Sequence, residues 1–328
     1  LSRGLGDVYK RQRQDSMKIL LTGGNGFIGQ HLQKKLNDHD LVLTSRANML
    51  DNSVKYFKKN ISSKENFSDC LKDVEVVIHT AAIVHKMNNT SKNSSLEYME
   101  TNCLGTLNLA KQAANFGVKR FIFLSSIKVN GERTQPNMPF RFDDLRKAED
   151  DYAKSKAEAE IGLLQIAKET QLEVVIIRSP LVYGPGVKAN FAALLNLASK
   201  NLPLPFGSIK NKRGFVAIDN LASLIISCID HPKAANQLFL VSDDNDISTS
   251  ELFTIMVEAF GKKPRIFKVS PGLLKIVASV IGKKSITDRL CDDLRIDIKH
   301  TKKSLNWNPV VSTHEGVKLC IPRIINRK

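Results

Sequence analysis

A tyrosine and a lysine four residues apart, Tyr152 and Lys156, carry the first chemistry that the sequence suggests. They lie in DDYAKSKAEAE (residues 150–160), a pattern typical of an amphipathic helix. Because residues i and i+4 share one face of a helix, the phenol and the ammonium can point into one pocket. The same spacing also fits a half-buried tyrosine beside a solvated lysine. A third group is therefore needed to indicate a catalytic site.

Two serines supply that third group. Ser125 and Ser126 end the apolar run KRFIFLSS, which predicts a buried strand, and ligands of parallel sheets bind at the carboxyl ends of strands. A tyrosine that exchanges a proton with a hydroxyl group during hydride transfer must work near its anionic form. Lowering its pKa from about 10 to about 7 takes about 4 kcal/mol, and an ammonium about 4 Å away contributes about that much at an effective dielectric of about 20. The side chains therefore predict acid–base chemistry coupled to hydride transfer, with Lys156 lowering the pKa of Tyr152.

A glycine-rich turn predicts a site for phosphates. The run LLTGGNGFIGQHL places Gly23, Gly26 and Gly29 between the first predicted strand and the first predicted helix. Glycine there permits a sharp turn, lets backbone N–H groups approach a pyrophosphate and lets the helix pack closely on the strand, while the helix N-terminus adds partial positive charge. In an α/β pattern this favours a dinucleotide cofactor over a simple tight turn.

The end of the second predicted strand bears on which dinucleotide binds. NAD sites usually offer an acid to the ribose hydroxyls, whereas LVLTSRANM ends in Ser45 and Arg46. A hydroxyl and a cation suit a 2′-phosphate, so NADP(H) is favoured and NAD is the alternative. The alternative role for Arg46 is to stack on the adenine ring without contacting a 2′-phosphate. Asn60, after the third predicted strand, either hydrogen-bonds the adenine edge or is an ordinary turn residue.

The elements that must position these residues alternate along the chain from Met17. Short apolar runs predict buried strands at residues 18–22, 40–44, 74–80, 119–126 and 172–179. Stretches of helical period predict helices at residues 27–38, 97–116 and 151–170. Strands that are apolar on both faces and separated by helices indicate a doubly wound α/β fold with a parallel sheet. The polar stretch at residues 85–95 predicts a mobile loop.

We expect the chain to divide near residue 180. Residues 17–180 form the predicted dinucleotide-binding domain. Beyond it, Pro- and Gly-rich loops and shorter helices predict a smaller α/β substrate-binding subdomain at residues 181–328, with some segments returning to the first domain. Residues 1–16 lack hydrophobic periodicity and the apolar segment of a signal peptide, so we expect a non-native or disordered tail before a start at Met17.

Composition narrows the class of protein. The 328 residues are 42% hydrophobic, enough for a large core. Five cysteines without a C-x-x-C pair predict neither a disulfide framework nor a zinc site, and favour a cytoplasmic protein without a bound metal. No apolar run approaches the ~18 residues of a membrane span. The net charge of +16 is spread among acidic residues, which argues against nucleic acid and fits attraction of a polyanionic small molecule.

Taken together, the motifs resemble one family. TGGNGFIG, HTAA (residues 79–82), TNCLGT, SSIKVNG, Tyr152-x-x-x-Lys156 and RSPLVYGPG are similar to motifs of the extended short-chain dehydrogenase/reductases, specifically the nucleotide-sugar NAD-dependent epimerase/dehydratase family. The resemblance runs from Met17 to Pro309, where LNWNP is similar to the family's LGW-x-P turn. It implies a Rossmann fold and a homodimer in which two helices of each subunit pack as a four-helix bundle.

The resemblance also implies roles for individual residues. It implies a catalytic triad made of Ser126, Tyr152 and Lys156, with Ser125 outside it. The residues that the resemblance places beside the cofactor are Gly23, Gly26, Phe27, Ile28, Gly29, Ala81, Ala82 and Asn102. The residues that it places near the nucleotide diphosphate of a nucleotide-sugar substrate are Asn190, Arg213 and Arg289. The alternative for Arg213 is a solvated loop cation.

Departures from the family pattern narrow the expected reaction. Family 4,6-dehydratases follow the triad serine or threonine with an Asp-Glu pair, whereas Ile127 and Lys128 stand here, so elimination is not expected. Arg46 favours an NADPH-consuming 4-keto-sugar reductase or dehydrogenase acting at C4 of a UDP-linked hexose. The runs SSIKVNGE, GPGVKANF and PLPFGSIKNKRGF resemble bacterial enzymes of surface polysaccharide biosynthesis, and this resemblance implies a reductase of the UDP-N-acetylquinovosamine type. The alternative is a UDP-glucose or UDP-GlcNAc 4-epimerase. A non-catalytic NADP(H)-binding regulator is a hypothesis of another class.

Overall fold

The computed structural model describes residues 16–47, 54–84, 92–280, 288 and 290–321. Residues 1–15 of the expected tail and Arg289 lie outside these ranges. Within them, no helix is long and apolar enough to cross a membrane. The same ranges contain no group of three His, Cys, Asp or Glu side chains placed to hold a metal ion.

A seven-stranded parallel sheet organises the fold. The strands of the described residues are β1 Lys18–Thr22, β2 Asp40–Ser45, β3 Lys55–Lys58, β4 Val76–His79, β5 Arg120–Ser126, β6 Glu173–Ser179, β7 Val182–Tyr183, β8 Val216–Ala217 and β9 Gln237–Leu240. The sheet order is β3-β2-β1-β4-β5-β6-β9, and β7 pairs separately with β8. The strand order reverses between β1 and β4, which opens a crevice at the carboxyl edge of the sheet. The doubly wound Rossmann fold is thus confirmed.

Helices cover both faces of the sheet. They are α1 Phe27–Lys35, α2 Ser68–Leu71, α3 Lys92–Tyr98, α4 Thr106–Asn115, α5 Asp151–Glu169, α6 Ala189–Lys200, α7 Ile218–Ser227, α8 Thr249–Ala259, α9 Pro271–Val280, α10 Lys299–Leu305 and α11 Thr313–Cys320. Side chains of α1 and α7 fill the core on one face, and those of α4 and α5 fill the core on the other. A third core joins α6, α8 and α11.

The predicted elements differ from the observed ones in informative places. The helix predicted at 97–116 is α3, a π-helical turn Met99–Gly105 and then α4. The prediction of a loop at residues 85–95 is wrong for residues 92–95, because α3 begins at Lys92. The first seven residues of the predicted loop lie outside the described ranges. The helix predicted at 27–38 ends at Lys35, because Asp40 N–H already bonds the Met17 carbonyl and starts the β2 pairing.

Strand β9 was missed by the sequence patterns, although returning segments were expected. Its four residues QLFL pair with β6 and bring part of the C-terminal half into the sheet. The Asn236 side chain accepts a hydrogen bond from Val174 N–H at 3.0 Å at the start of this pairing. A strand this short is recognisable only from the neighbour it pairs with. The domain division near residue 180 stays a prediction.

Candidate active site

The parallel sheet brings the predicted catalytic residues to its carboxyl edge. Ser126 is the last residue of β5, and Tyr152 and Lys156 lie in the first two turns of α5. The side chains of Tyr152 and Ser126 are hydrogen-bonded to each other. Lys156 is 2% exposed, and its Nζ donates to the Leu124 carbonyl at 2.9 Å. The tertiary structure thus collects the three side chains that the sequence separates by up to thirty positions.

Helix α5 starts where an ion cluster fixes its first turn. Asp150 is the N-cap, and its carboxylate accepts from Ala153 N–H at 2.7 Å. The Lys128 ammonium binds both Asp150 at 2.5 Å and Glu132 at 2.7 Å. Capping of this kind stabilises a helix end by about 1 kcal/mol. Lys128, which stands where family dehydratases carry an acid, therefore anchors the helix that holds Tyr152.

The pKa of Tyr152 is raised in the protein alone. Burial raises it to about 12, the Ser126 hydrogen bond opposes this rise, and Asp150 and Tyr98 add to it. Lys156 is not among the groups that shift the pKa of Tyr152 in the protein itself; its Nζ donates to the Leu124 carbonyl and lies 4.4 Å from the centre of the Phe123 ring. The lowering of the Tyr152 pKa by Lys156 in the complex with the cofactor stays a prediction.

Burial acts on Lys156 in the opposite direction. Desolvation lowers its pKa to about 7, and the Glu160 charge partly opposes this effect. An amine with this pKa gains or loses its charge near neutral pH. The charge state of Lys156 therefore responds to any anion that binds beside it.

This lowered pKa predicts an unusual pH dependence of stability. Between pH of about 7 and about 10 the unfolded chain binds a proton that the folded chain has lost, so Lys156 makes stability rise with pH across this window. We expect Lys156→Met to be more stable than the parent protein at about pH 6, with the difference shrinking towards about pH 9. Urea unfolding at a series of pH values measures it.

The matched control is Lys154→Met, which removes an exposed lysine from the same helix and should leave the pH dependence unchanged. A Lys156→Met variant that is less stable at about pH 6 would contradict the prediction. That result would mean that the Leu124 carbonyl and the Phe123 ring outweigh the cost of burying the charge.

The glycine-rich turn has the geometry of a phosphate cradle. Gly23 has a φ of +72°, and a Cβ there would lie 2.9 Å from Ala81 N, so the position favours glycine. A Cβ on Gly29 would lie 2.2 Å from the Gly23 carbonyl oxygen, so α1 can pack this closely only without a side chain. No described side chain caps the first N–H groups of α1. The predicted cofactor residues Phe27 and Ile28 form the first turn of α1 and are half-buried.

A buried hydrogen-bond chain crosses from this turn to the π-helical turn. His79 ends β4, and its ring bonds the hydroxyls of Thr22 at 2.7 Å and Thr106 at 2.9 Å. Burial lowers the pKa of His79 to about 3, so the ring is neutral. The Thr106 hydroxyl donates to the Asn102 carbonyl, which leaves Thr106 to accept from the ring and Thr22 to donate to it. This chain ties β1, β4 and the π-helical turn together under the crevice.

The amide of Asn102 fixes the backbone beyond β4. Its oxygen accepts from Ile83 N–H at 2.8 Å, and its nitrogen donates to the Ile83 carbonyl at 3.1 Å and to Ser155 on α5 at 3.2 Å. Asn102 is therefore a positioning residue within the protein. The predicted cofactor residues Ala81 and Ala82 immediately precede this clamped segment and are half-buried.

A buried ion pair lies one helical turn beyond Lys156. The Glu160 carboxylate accepts from the Arg178 guanidinium at 2.9 and 2.5 Å, from Ser125 at 2.6 Å and from Arg146 at 3.1 Å. Glu160 and Arg178 are 0% and 1% exposed. Sequence analysis missed this cluster; the only local signal is the four-residue spacing of Glu160 from Lys156 along the helix. The Ser125 hydroxyl is used in this cluster, and its place outside the triad stays a prediction.

The predicted adenine-side residues occupy the ends of β2 and β3. Arg46 follows β2 and is exposed, while Ser45 accepts from Ala47 N–H at 3.3 Å. Asn60 follows β3, is exposed, and uses its backbone N–H to bond Glu65 at 3.1 Å. These residues lie at the same carboxyl edge as the glycine-rich turn, because β1, β2 and β3 are parallel neighbours.

The predicted substrate residues belong to the C-terminal half. Asn190 is exposed in the first turn of α6, directly after Ala189, which has a φ of +54°. Arg213 is half-buried, and its guanidinium donates to the Asp292 carbonyl at 2.9 Å. Arg213 is thus held by the backbone of a neighbouring segment, and its role near the nucleotide diphosphate stays a prediction. Arg289 lies outside the described residues.

Sequence comparison places this site in a known family. A model of the NAD-dependent epimerase/dehydratase family matches residues 19–241, which include the glycine-rich turn and the whole triad. The chain belongs to the NAD-dependent epimerase/dehydratase family. This family member is an enzyme of the extended short-chain dehydrogenase/reductase class.

Relatives of this family member include proteins named as 4-epimerases. A UDP-glucose 4-epimerase of Vibrio cholerae is 47% identical over 311 residues, which cover 93% of this chain and 95% of that protein. The crystal structure of UDP-glucuronic acid 4-epimerase from Bacillus cereus in complex with NAD has a TM-score of 0.76 at 21% identity, covering 95% of this chain and 99% of that one. UDP-glucose 4-epimerase with UDP-glucose from Thermotoga maritima has a TM-score of 0.73 at 23% identity, with the same coverage. Both structures share the fold of this family member.

Proposed function

We propose that this enzyme is a 4-epimerase of a UDP-linked hexose. The observation that carries the proposal is the 47% identity to the Vibrio cholerae UDP-glucose 4-epimerase along 93% of the chain, joined to a triad at the sheet edge. The sequence alone favoured a 4-keto-sugar reductase. The identity to a 4-epimerase supports the alternative better, whereas Arg46 and the resemblance of the runs SSIKVNGE, GPGVKANF and PLPFGSIKNKRGF favour the reductase.

The residues present fit a dinucleotide. The approach of Gly29 to Gly23 leaves a surface of backbone that a Cβ would fill, and the α1 N-terminus adds partial positive charge for a pyrophosphate. Ala81, Ala82 and the segment clamped by Asn102 form the opposite side of the crevice. A bound dinucleotide would supply the acceptor and donor of the hydrogen at C4.

The triad performs the proton transfers in this proposal. The Tyr152 oxygen removes the proton of the C4 hydroxyl, and returns it after the 4-keto sugar has turned over to present its other face. Ser126, already hydrogen-bonded to Tyr152, holds the reacting oxygen. Lys156 would gain its charge beside the anionic cofactor, would hold the nicotinamide ribose and would lower the pKa of Tyr152 from its buried value. Asn190, Arg213 and Arg289 bind the nucleotide diphosphate of the substrate.

One assay separates the candidate reactions. Purified protein incubated with UDP-glucose or UDP-GlcNAc, without added cofactor, should form the C4 epimer, detected by chromatography or NMR. A reductase would instead consume NADPH in proportion to an added UDP-4-keto-6-deoxy-hexosamine, followed at 340 nm. A protein that binds the dinucleotide but performs neither reaction would support the non-catalytic regulator.

Arg46 should decide the choice between NAD and NADP(H). In our proposal the site accepts NAD and also NADP(H). NADP(H) is accepted because Ser45 and Arg46 stand where NAD sites usually carry an acid. We expect Arg46→Asp to weaken NADP(H) binding about tenfold or more while NAD binding is kept or improved, because a carboxylate repels the 2′-phosphate and bonds the ribose hydroxyls. Fluorescence titration with both dinucleotides measures the ratio of the two Kd values.

The control for this substitution is Lys72→Asp, a charge reversal at an exposed residue just after α2. It should leave the ratio of the two Kd values unchanged. An unchanged ratio in Arg46→Asp would indicate that Arg46 stacks on adenine rather than facing the phosphate.

We further propose a homodimer formed through the α4 and α5 region. Leu104, Phe116 and Ile161 are each almost half exposed there, and α4 packs so closely on α5 that a Cβ on Gly162 would lie 2.6 Å from Leu107. Apolar side chains gathered on a helix pair are typical of a subunit contact. We expect Ile161→Glu to convert the dimer to a monomer in light scattering. A parent protein that is itself monomeric would contradict the proposal.

A further inference from the structure

A basic apolar segment, residues 262–280, lies between α8 and the end of α9. It contains five cations and no acidic residue: Lys262, Lys263, Arg265, Lys268 and Lys275. The first four of these are exposed. The segment therefore carries a net positive charge with no acidic residue of its own to offset it.

Large apolar side chains are exposed in the same segment. Phe267 is 48% exposed, Leu273 is 53% exposed and Ile276 is 63% exposed. Leu273 and Ile276 are three residues apart and share one face of α9. Leu274 points the other way and packs against the core of α6, α8 and α11. The helix is therefore anchored by one side while it presents aliphatic side chains to solvent on another.

The backbone of this segment is held firmly against the body of the protein. Leu204 N–H donates to the Arg265 carbonyl, Phe267 N–H donates to the Leu204 carbonyl, and Gly207 N–H donates to the Phe267 carbonyl, each at 3.0 Å. The Ser270 hydroxyl accepts from Leu273 N–H at 3.3 Å and caps α9. The exposed side chains thus project from a fixed surface, to which Leu202, 45% exposed, adds a further apolar group.

We propose that the basic apolar segment binds the surface of a membrane that contains anionic lipids. The exposed cations at residues 262–268 precede α9 along the chain, and the exposed Leu273 and Ile276 lie on α9. Cations of this kind attract anionic headgroups, and exposed apolar side chains enter the boundary with the acyl chains. The ten residues of α9 that the structure describes are about half of what a membrane span needs, and in this proposal they lie on the membrane surface.

Charge and side-chain chemistry favour lipid over other partners. A second copy of the same face would bring two sets of cations together, which is unfavourable. Single-stranded nucleic acid is bound by cations combined with several stacking aromatic side chains, and this segment has only Phe267. Exposed leucine and isoleucine have no role against a phosphate backbone, whereas they gain free energy in a lipid interface. This proposal does not depend on the proposed epimerase activity.

Vesicle flotation tests the proposal on the full-length protein. We expect binding to vesicles of phosphatidylcholine mixed with phosphatidylglycerol, weaker binding to pure phosphatidylcholine, and loss of binding as salt is raised. The pair Leu273→Glu with Ile276→Glu should lower the partition coefficient about tenfold or more. The pair Lys263→Glu with Lys268→Glu should do the same for the anionic vesicles only.

Two controls keep the test decisive. Val310→Glu places an acid at a residue that is 59% exposed in another region, and should bind vesicles like the parent protein. If the leucine and isoleucine variant melts earlier than the parent, the lysine variant serves alone, because both of its residues are exposed. Equal binding by parent and lysine variants would overturn the proposal. The proposal would also be overturned if the protein bound no vesicles and formed an oligomer that Leu273→Glu dissociates. That result would assign this face to a contact with a second copy of the chain.

Discussion

Replacing Tyr152 with phenylalanine is expected to lower kcat for C4 epimerisation by about 10²- to 10⁴-fold, the range typical of a lost general acid or base. Phe keeps the ring that packs edge-on against Tyr98 at 6.2 Å between centroids, and removes only the oxygen that bonds Ser126. Folding and dinucleotide binding should therefore be kept. The measurement is kcat with the UDP-hexose, together with the Kd for the dinucleotide.

The pH profile gives this prediction a second readout. Burial raises the pKa of Tyr152 to about 12, so the bound complex must lower it for the reaction to run near neutral pH. The parent rate should rise with pH as Tyr152 loses its proton, and the residual rate of Tyr152→Phe should not follow that rise. A matched variant, Tyr98→Phe, keeps the ring contact and should lower kcat far less. A Tyr152→Phe enzyme with near-parental kcat would remove Tyr152 from the mechanism.

Replacing Glu160 with glutamine is expected to give the largest loss of stability. Arg178 is 1% exposed and binds the Glu160 carboxylate through two nitrogens. Without that negative charge its guanidinium is left in the core without a counter-charge, which costs about 3–5 kcal/mol when one partner of a buried pair is removed. Urea unfolding monitored by circular dichroism gives the change in the free energy of unfolding.

Two variants control for helix and volume effects. Glu158→Gln makes the same change at an exposed position of α5 and should alter the free energy of unfolding by less than about 0.5 kcal/mol. The double change of Glu160 and Arg178 to methionine should recover much of the loss, because apolar pairs replace buried ion pairs at little cost. A Glu160→Gln protein within about 1 kcal/mol of the parent would show that solvent reaches the pair.

The two predictions concern one structural unit. Glu160 holds Ser125, the residue before Ser126, through a 2.6 Å hydrogen bond, and lies one helical turn beyond Lys156. The same carboxylate joins α5 to β6 through Arg178. Loss of this pair should therefore also loosen the spacing between Ser126 and Tyr152. The expected sign is a lower kcat in Glu160→Gln even at temperatures where the variant is folded.

Much of the fold was accessible from sequence because its signals are local. The five predicted strands of the sheet end within two residues of the observed bounds, since runs of branched residues mark buried parallel strands. The tight turn at Gly23 and Gly29 could be predicted from the glycine spacing, because the backbone conformation and the packing there exclude a Cβ. The four-residue β9 and the π-helical turn were missed, since neither has a periodicity of its own that distinguishes it from a loop or an α-helix.

That Tyr152 and Lys156 share a helix face, that Ser126 ends a strand and that a glycine turn opens the first helix can all be read from the order of residues. Backbone geometry fixes these relations within a few residues. The contact of Lys156 with the Leu124 carbonyl, the raised pKa of Tyr152 and the pairing of Glu160 with Arg178 eighteen positions away depend on how the chain folds. Desolvation and charge pairing act through space, between residues that the order of the chain does not bring together.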